Sequence, residues 1–234
     1  MPTPATPLIT ELIDKTDNLT VLRDRLAEVL IVELANQRAL AVAASRDPAP
    51  WDLRIFTEAR RPWEEWHAEQ PPHVPIVNLS IMSSDIDERR SASSIDTVHA
   101  GKIAIDGYAA GVPFEGPGGS THTPGGLAGA LARDRAATLV RNILTAGANS
   151  ELQLNGEKIL WGGVILSGYK TFSADEAHLP APTVSGFQFI ADLVYNETSS
   201  EEIGVPLNYI AIDLRRAPLT GELHMEVDFD YAGP

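Results

Sequence analysis

LTVLRDRLAEVLIVELANQRALAVAA, residues 19–44, carries the strongest helical periodicity in this chain, and its reading decides the fold. Leu22, Leu26, Val29, Leu30 and Leu34 recur at the i, i+4, i+7, i+8 spacing that lines one face of an α-helix. Arg23, Asp24, Glu28 and Asn36 fall largely off that stripe. Asp17 and Asn18 stand just ahead of it with side chains suited to capping the first turn. Asp47-Pro48-Ala49-Pro50 is expected to end the helix, because proline blocks continuation and biases its predecessor away from the helical region.

Beyond residue 51 the period changes from 3.6 to two. Leu53, Ile55 and Thr57 alternate in a strand expected over Asp52–Glu58. Val74–Met82 sets Val77, Leu79 and Ile81 against Ile76, Asn78, Ser80 and Met82. His99–Ala109 sets Ile103 and Ile105 against Lys102, Ala104, Asp106 and Tyr108. A second helix is expected from the Thr123-Pro124 entry to about Ala146, with Ala132, Ala136, Leu139, Val140, Ile143 and Leu144 as its apolar stripe and Gly147 just past its end. Ile159–Phe172 is a strand interrupted at Gly162-Gly163 and Gly168, where a bulge or bend is expected. Phe187, Phe189, Ala191, Leu193 and Tyr195 alternate with Gln188, Ile190, Asp192, Val194 and Asn196. Leu207–Arg215 and Glu222–Tyr231 close the chain as a hairpin.

The segments 60–73, 83–98 and 111–126 read as long loops, and residues 1–10, with Pro2, Pro4 and Pro7, as an N-terminal arm. No repeat or long polar linker divides the chain. The expectation is therefore one α+β domain over 1–234, with a mixed, mostly antiparallel sheet flanked by two main helices. The first eighteen residues have neither the basic nor the apolar run of a secretory signal, so no leader is expected. The most apolar run, Val29–Val32, is far too short to span a bilayer.

Tests for chemistry come back empty. There is no cysteine, which removes disulfides, zinc ribbons and thiol nucleophiles together. Gly116-Pro117-Gly118-Gly119-Ser120-Thr121 precedes a helix but lacks the lysine of a phosphate-binding loop. His67, His73, His99, His122, His178 and His224 include no i, i+4 pair, and there is no HExxH. Ser167-Gly168 and Ser185-Gly186 lack the preceding glycine of a nucleophile elbow. The carboxylates of Asp85, Asp87 and Glu88, of Asp175 and Glu176, and of Glu197, Glu201 and Glu202 sit in loop-like runs and read as solvated charge. No catalytic residue, cofactor or metal is expected. Trp63 and Trp66, two indoles in one loop, are the candidate partner contact. Stacking of these indoles on sugars would instead suit a glycan-binding or hydrolytic accessory.

The formal net charge of −14 argues against a general grip on nucleic acid, since non-specific affinity comes from lysine and arginine displacing counterions from phosphates. The pairs Arg60-Arg61, Arg89-Arg90 and Arg215-Arg216 read as solvated or interfacial.

Residues 12–37 (LIDKTDNLTVLRDRLAEVLIVELANQ), 47–66 (DPAPWDLRIFTEARRPWEEW), 74–82 (VPIVNLSIM), 99–109 (HAGKIAIDGYA) and 134–147 (DRAATLVRNILTAG) together resemble the tail terminator, or tail-completion, proteins of long-tailed bacteriophages. That resemblance implies a subunit of a homohexameric ring on the head-proximal end of the tail tube, assembled in the host cytoplasm and present in the virion. Its implied partners are further copies of itself, the tail tube protein, the neck or connector protein and, in a contractile tail, the sheath protein. DNA would pass through the ring without specific binding, and no membrane is implied. The family offers no catalytic residues to carry over. The long loops set this chain apart from compact terminators and leave other neck, collar or baseplate positions open.

Overall fold

Asp17 opens the first helix, α1 (Asn18–Ala43). Its carboxylate accepts the Thr20 backbone N–H at 2.9 Å and the Thr20 hydroxyl at 2.6 Å. Burial on its own would push this carboxyl up, but the bonds from Thr20 outweigh that effect and hold it below the ordinary 3.8. Asp17→Ala is expected to cost about 1 kcal/mol. Because the native value is depressed, the ionised cap contributes fully above 3.8 and its contribution fades as pH falls through the native value. Urea unfolding of both proteins at neutral and acid pH checks the size and the pH dependence.

The computed structural model describes residues 16–60, 62, 73–91, 96–116, 122–154, 159–173, 183–198, 211–216 and 223–228. Contacts divide the chain into two units, Thr16–Ser199 and the end segments Met1–Lys15 with Ser200–Pro234. In the first unit, β1 (Arg54–Thr57), β2 (Ile76–Ile86), β3 (Asp96–Gly111), β6 (Ile165–Ser173) and β7 (Thr183–Thr198) form one sheet in the order β1-β2-β3-β7-β6. Only β1–β2 is parallel; every other neighbour is antiparallel. With α1 and a second helix, α2 (Gly125–Leu144), this is the expected α+β fold.

Both helices pack on the same face. Leu22, Leu26 and Leu30 of α1 and Val140 and Leu144 of α2 are fully buried against Val77 and Leu79 of β2, Ile103 and Ile105 of β3, and Phe187 of β7. Each such side chain contributes about 1.5–3 kcal/mol on burial. The other face carries a small cluster at one end, where Ile76 and Val184 are packed by Phe56, Tyr108 and Ala110.

Two glycines on β3 and β7 make room for aromatic rings. A Cβ on Gly107 would fall inside the ring of Phe187, its register partner across β3–β7. A Cβ on Gly186 would likewise meet the ring of Phe172, its partner across β6–β7.

Several boundaries differ from expectation. α1 stops at Ala43 because Ser45 turns left-handed (φ 53°), and the Arg46 N–H then closes onto Ala41 O. Pro48 starts a 3-10 turn (Ala49–Trp51) instead of stopping the helix. The 83–98 loop is shorter than expected. β2 continues through a bulge between Ile81 and Ser83 to Ile86, held by register pairing with His99–Lys102, and β3 starts at Asp96. Serine and aspartate disfavour strands, but here an existing partner strand overrides that preference.

The 111–126 loop contains a short antiparallel pair, β4 (Phe114–Glu115) with β5 (His122–Thr123). Pro124 is the cap of α2, not its first residue, and Thr145 caps the other end. Gly147 opens a 3-10 turn (Gly147–Asn149). The break at Gly168 is a bulge, with φ 63° and a register shift between Ser167 and Lys170. In the second unit β8 (Ala211–Arg216) and β9 (Leu223–Asp228) pair as the expected antiparallel hairpin.

Candidate functional site

Two ion pairs mark the course of α1 in the Thr16–Ser199 unit. Arg23 reaches Glu58, just past β1, at 3.1 Å, and Arg38 reaches Asp52, just before β1, at 2.9 Å. Fifteen helical residues rise about 22 Å, and six extended residues span about 20 Å, so α1 lies antiparallel along β1. α2 runs the other way. Its first turns cross Gly111 at the end of β3, and beyond its last turn the Leu152 carbonyl accepts from Arg25 Nε at 2.9 Å. The unit thus has a Gly111 end, holding the C-terminal half of α1 and the start of α2, and an Asp96 end, holding the start of α1.

The Gly111 end is rich in uncovered apolar side chains. On α1, Leu40 is 55% and Val42 62% exposed, although both lie in a helix whose other face is fully buried. Phe114 and, on α2, Leu127 and Leu131 are also exposed. Beside them is an open groove of about 490 Å³ lined by Ala35, Arg38, Ala39, Val42, Ala43 and Pro48. A helix that is apolar on both faces is suited to cover from two sides, and the fold supplies one.

The Asp96 end is polar. Tyr195 OH lies 2.7 Å from Ser84 Oγ, and Ser84 Oγ lies 3.0 Å from His99 Nδ1. Thr97 Oγ1 is 2.9 Å from His99 Nε2 and donates to the Glu197 carbonyl at 3.2 Å. With the Thr97 proton spent on that carbonyl, its oxygen accepts Nε2–H, and in the neutral imidazole Nδ1 is then the acceptor for Ser84. The Tyr195 hydroxyl then donates to Ser84. Burial pushes the Tyr195 phenol up, so it stays protonated for this role. The serine and histidine are in contact, yet a hydroxyl occupies the far ring nitrogen where a catalytic triad places a carboxylate. Their geometry joins β2, β3 and β7. The Glu197 carboxylate accepts the Asn18 N–H at 2.9 Å, a negative group at the start of α1.

On the helix-free face, Gln188 Nε2 donates to Asp106 Oδ1 at 2.8 Å. Burial pushes the Asp106 carboxyl up despite that bond, and burial plus the charge of Asp106 takes Tyr108 to about 12. A raised carboxyl binds its proton more tightly in the native state, so it costs stability as pH rises from 3.8 through the native value. Asp106→Asn keeps an acceptor for Gln188 and is expected to raise Tm at neutral pH. The gain should disappear well below 3.8, which thermal melts across that range would reveal.

Trp63 and Trp66, the candidate contact, lie outside the described residues, as do 117–121 of the glycine-rich loop, His67, His178, Asp175, Glu176, Glu201 and Glu202. Among the described residues no three His, Asp or Glu side chains group as a metal site, and no helix is long and apolar enough to cross a membrane. The exposed face of α1 had a visible signal, since Ile31, Val32, Leu40 and Val42 lie off the buried stripe. The Ser84–His99–Tyr195 chain had none, because the bulge after Ile81 is what turns Ser84 toward it. No family model and no curated protein matches this chain.

Proposed function

We propose that this chain is a structural virion subunit, the tail terminator of a long-tailed phage, forming a ring at the head-proximal end of the tail tube and joining it to the neck. The observation that supports this reading is the apolar Gly111 end. It leaves large side chains in water on a unit whose core is already closed, as in a subunit completed by its neighbours. The net charge of −14 fits a channel that DNA crosses without adhering, since carboxylates repel phosphate.

Light scattering with negative-stain imaging tests the ring, and addition to polymerising tail tubes tests the terminator role. The expected results are a closed ring, six-fold by the terminator reading, and tubes of arrested length. A strict monomer would sink the proposal. A ring that binds filled heads but leaves tube growth untouched would replace the terminator with a connector or collar role.

A further inference from the structure

β1 is an edge strand with little burial of its own. It has four residues and runs parallel to β2; Ile55 and Phe56 are half-buried, Arg54 and Thr57 exposed. The pairs Arg38–Asp52 and Arg23–Glu58 flank it, but ion pairs this open to solvent contribute little.

Its ladder starts at the Arg54 N–H, which donates to Pro75 O at 3.0 Å, and reaches the Glu58 N–H, which donates to Leu79 O at 2.9 Å. The next rung of a parallel ladder would join the Ile81 N–H to the Glu58 carbonyl. Glu58 instead turns left-handed (φ 52°), a conformation that a β-carbon disfavours. Its carboxylate takes the Ile81 N–H at 2.8 Å in place of its own carbonyl.

Asn78 completes the fastening. The Ala59 N–H donates to Asn78 Oδ1 at 3.0 Å, and Asn78 Nδ2 donates to the Ala59 carbonyl at 3.2 Å. Asn78 is 5% exposed and stands between Val77 and Leu79, which have no exposed surface, in a strand that asparagine disfavours. A buried amide needs partners, and this one finds them on a single residue just past β1.

We propose that Asn78 and Glu58 form a side-chain latch on β1, and that β1 opens with its latch as one unit while the rest of the sheet stays closed. Opening relieves the backbone at Glu58 and wets four residues that are at most half-buried. β3 and β7 differ, since they pair over sixteen residues against both helices and open only with the whole Thr16–Ser199 unit. With β1 away, Val77, Leu79 and Ile81 present unpaired backbone, so the latch governs whether this margin of the sheet is closed. The device is independent of the virion reading and holds for a monomer or a ring.

Native-state amide exchange in low urea tests it. The amides of Phe56, Glu58, Val77, Leu79 and Ile81 are expected to share one opening free energy, with a smaller urea slope than those of β3 and β7. Asn78→Leu, close in shape and without the two bonds, should speed their exchange at least about tenfold. Glu58→Ala, at an exposed position where folding is not at risk, should do the same, while Glu58→Gln, which keeps an acceptor for Ile81, should stay near the parent. Exchange of β1 with the free energy and slope of β7 would overturn the proposal. So would unchanged exchange in a folded Asn78→Leu protein, or equal effects of Glu58→Ala and Glu58→Gln.

Discussion

Phe187→Ala is expected to destabilise the Thr16–Ser199 unit by about 3–5 kcal/mol, a fall in Tm on the order of 10 °C. Phe187 has no exposed surface and lies among Leu and Ile side chains from both helices and the sheet. It also stacks edge-on against Phe189, with ring centroids 5.5 Å apart. Removing the ring opens a cavity under two helices that are both anchored elsewhere, so collapse cannot fill it. The pairing with Gly107 allows a sharper test. Gly107→Ala alone should destabilise, because its Cβ would enter the Phe187 ring. In the Phe187→Ala background the same substitution should be far better tolerated, since it fills part of the void. Denaturant unfolding of the two single variants and the double variant measures this coupling, and strictly additive effects would contradict the argument.

Gly111→Ala is expected to be about as damaging as an overpacked core, roughly 3 kcal/mol, since overpacking typically costs 1–3 kcal/mol and occasionally more. Here the obstruction is backbone. A Cβ on Gly111 would collide with Gly125 O and Gly129 N, so no side-chain rotation can relieve it. The start of α2 must lift from the sheet. Faster amide exchange is expected in the first two turns of α2, with little change at its Leu144 end. Gly126→Ala is the control on the same helix. A Cβ there meets nothing within 4 Å, and alanine favours helix over glycine by about 1 kcal/mol. That variant should match or exceed the parent in stability. Equal losses at the two positions would show that helix propensity, not close approach, governs this turn.

Much of this fold was legible because its two signals are local. The leucine stripe of α1 and the alternation of Phe187 through Tyr195 each read directly as a buried face, and each packs as expected. What the sequence hid was set by partners distant along the chain. Ser84 to Ile86 look like loop until β3 lies beside them. The helix ends within a residue of the expected Ala44, but by a left-handed turn at Ser45, three residues ahead of Pro48, and not by the proline itself. The site was legible in part. The surplus apolar residues of α1 were plain as letters, but their gathering with Phe114, Leu127 and Leu131 at one end depends on the antiparallel course of the two helices.

The paired glycines and rings also bear on how the sheet finds its alignment. A slip of two residues between β3 and β7 would keep every side chain on its proper face, so burial alone discriminates weakly against it. Such a slip places Phe187 opposite Ile105 or Ala109, where a β-carbon blocks the ring. Phe172 and Gly186 impose the same condition on β6 from the opposite face of the sheet. β7 is thus keyed to both of its neighbours, β3 and β6, and a misaligned pairing is rejected by shape as well as by burial.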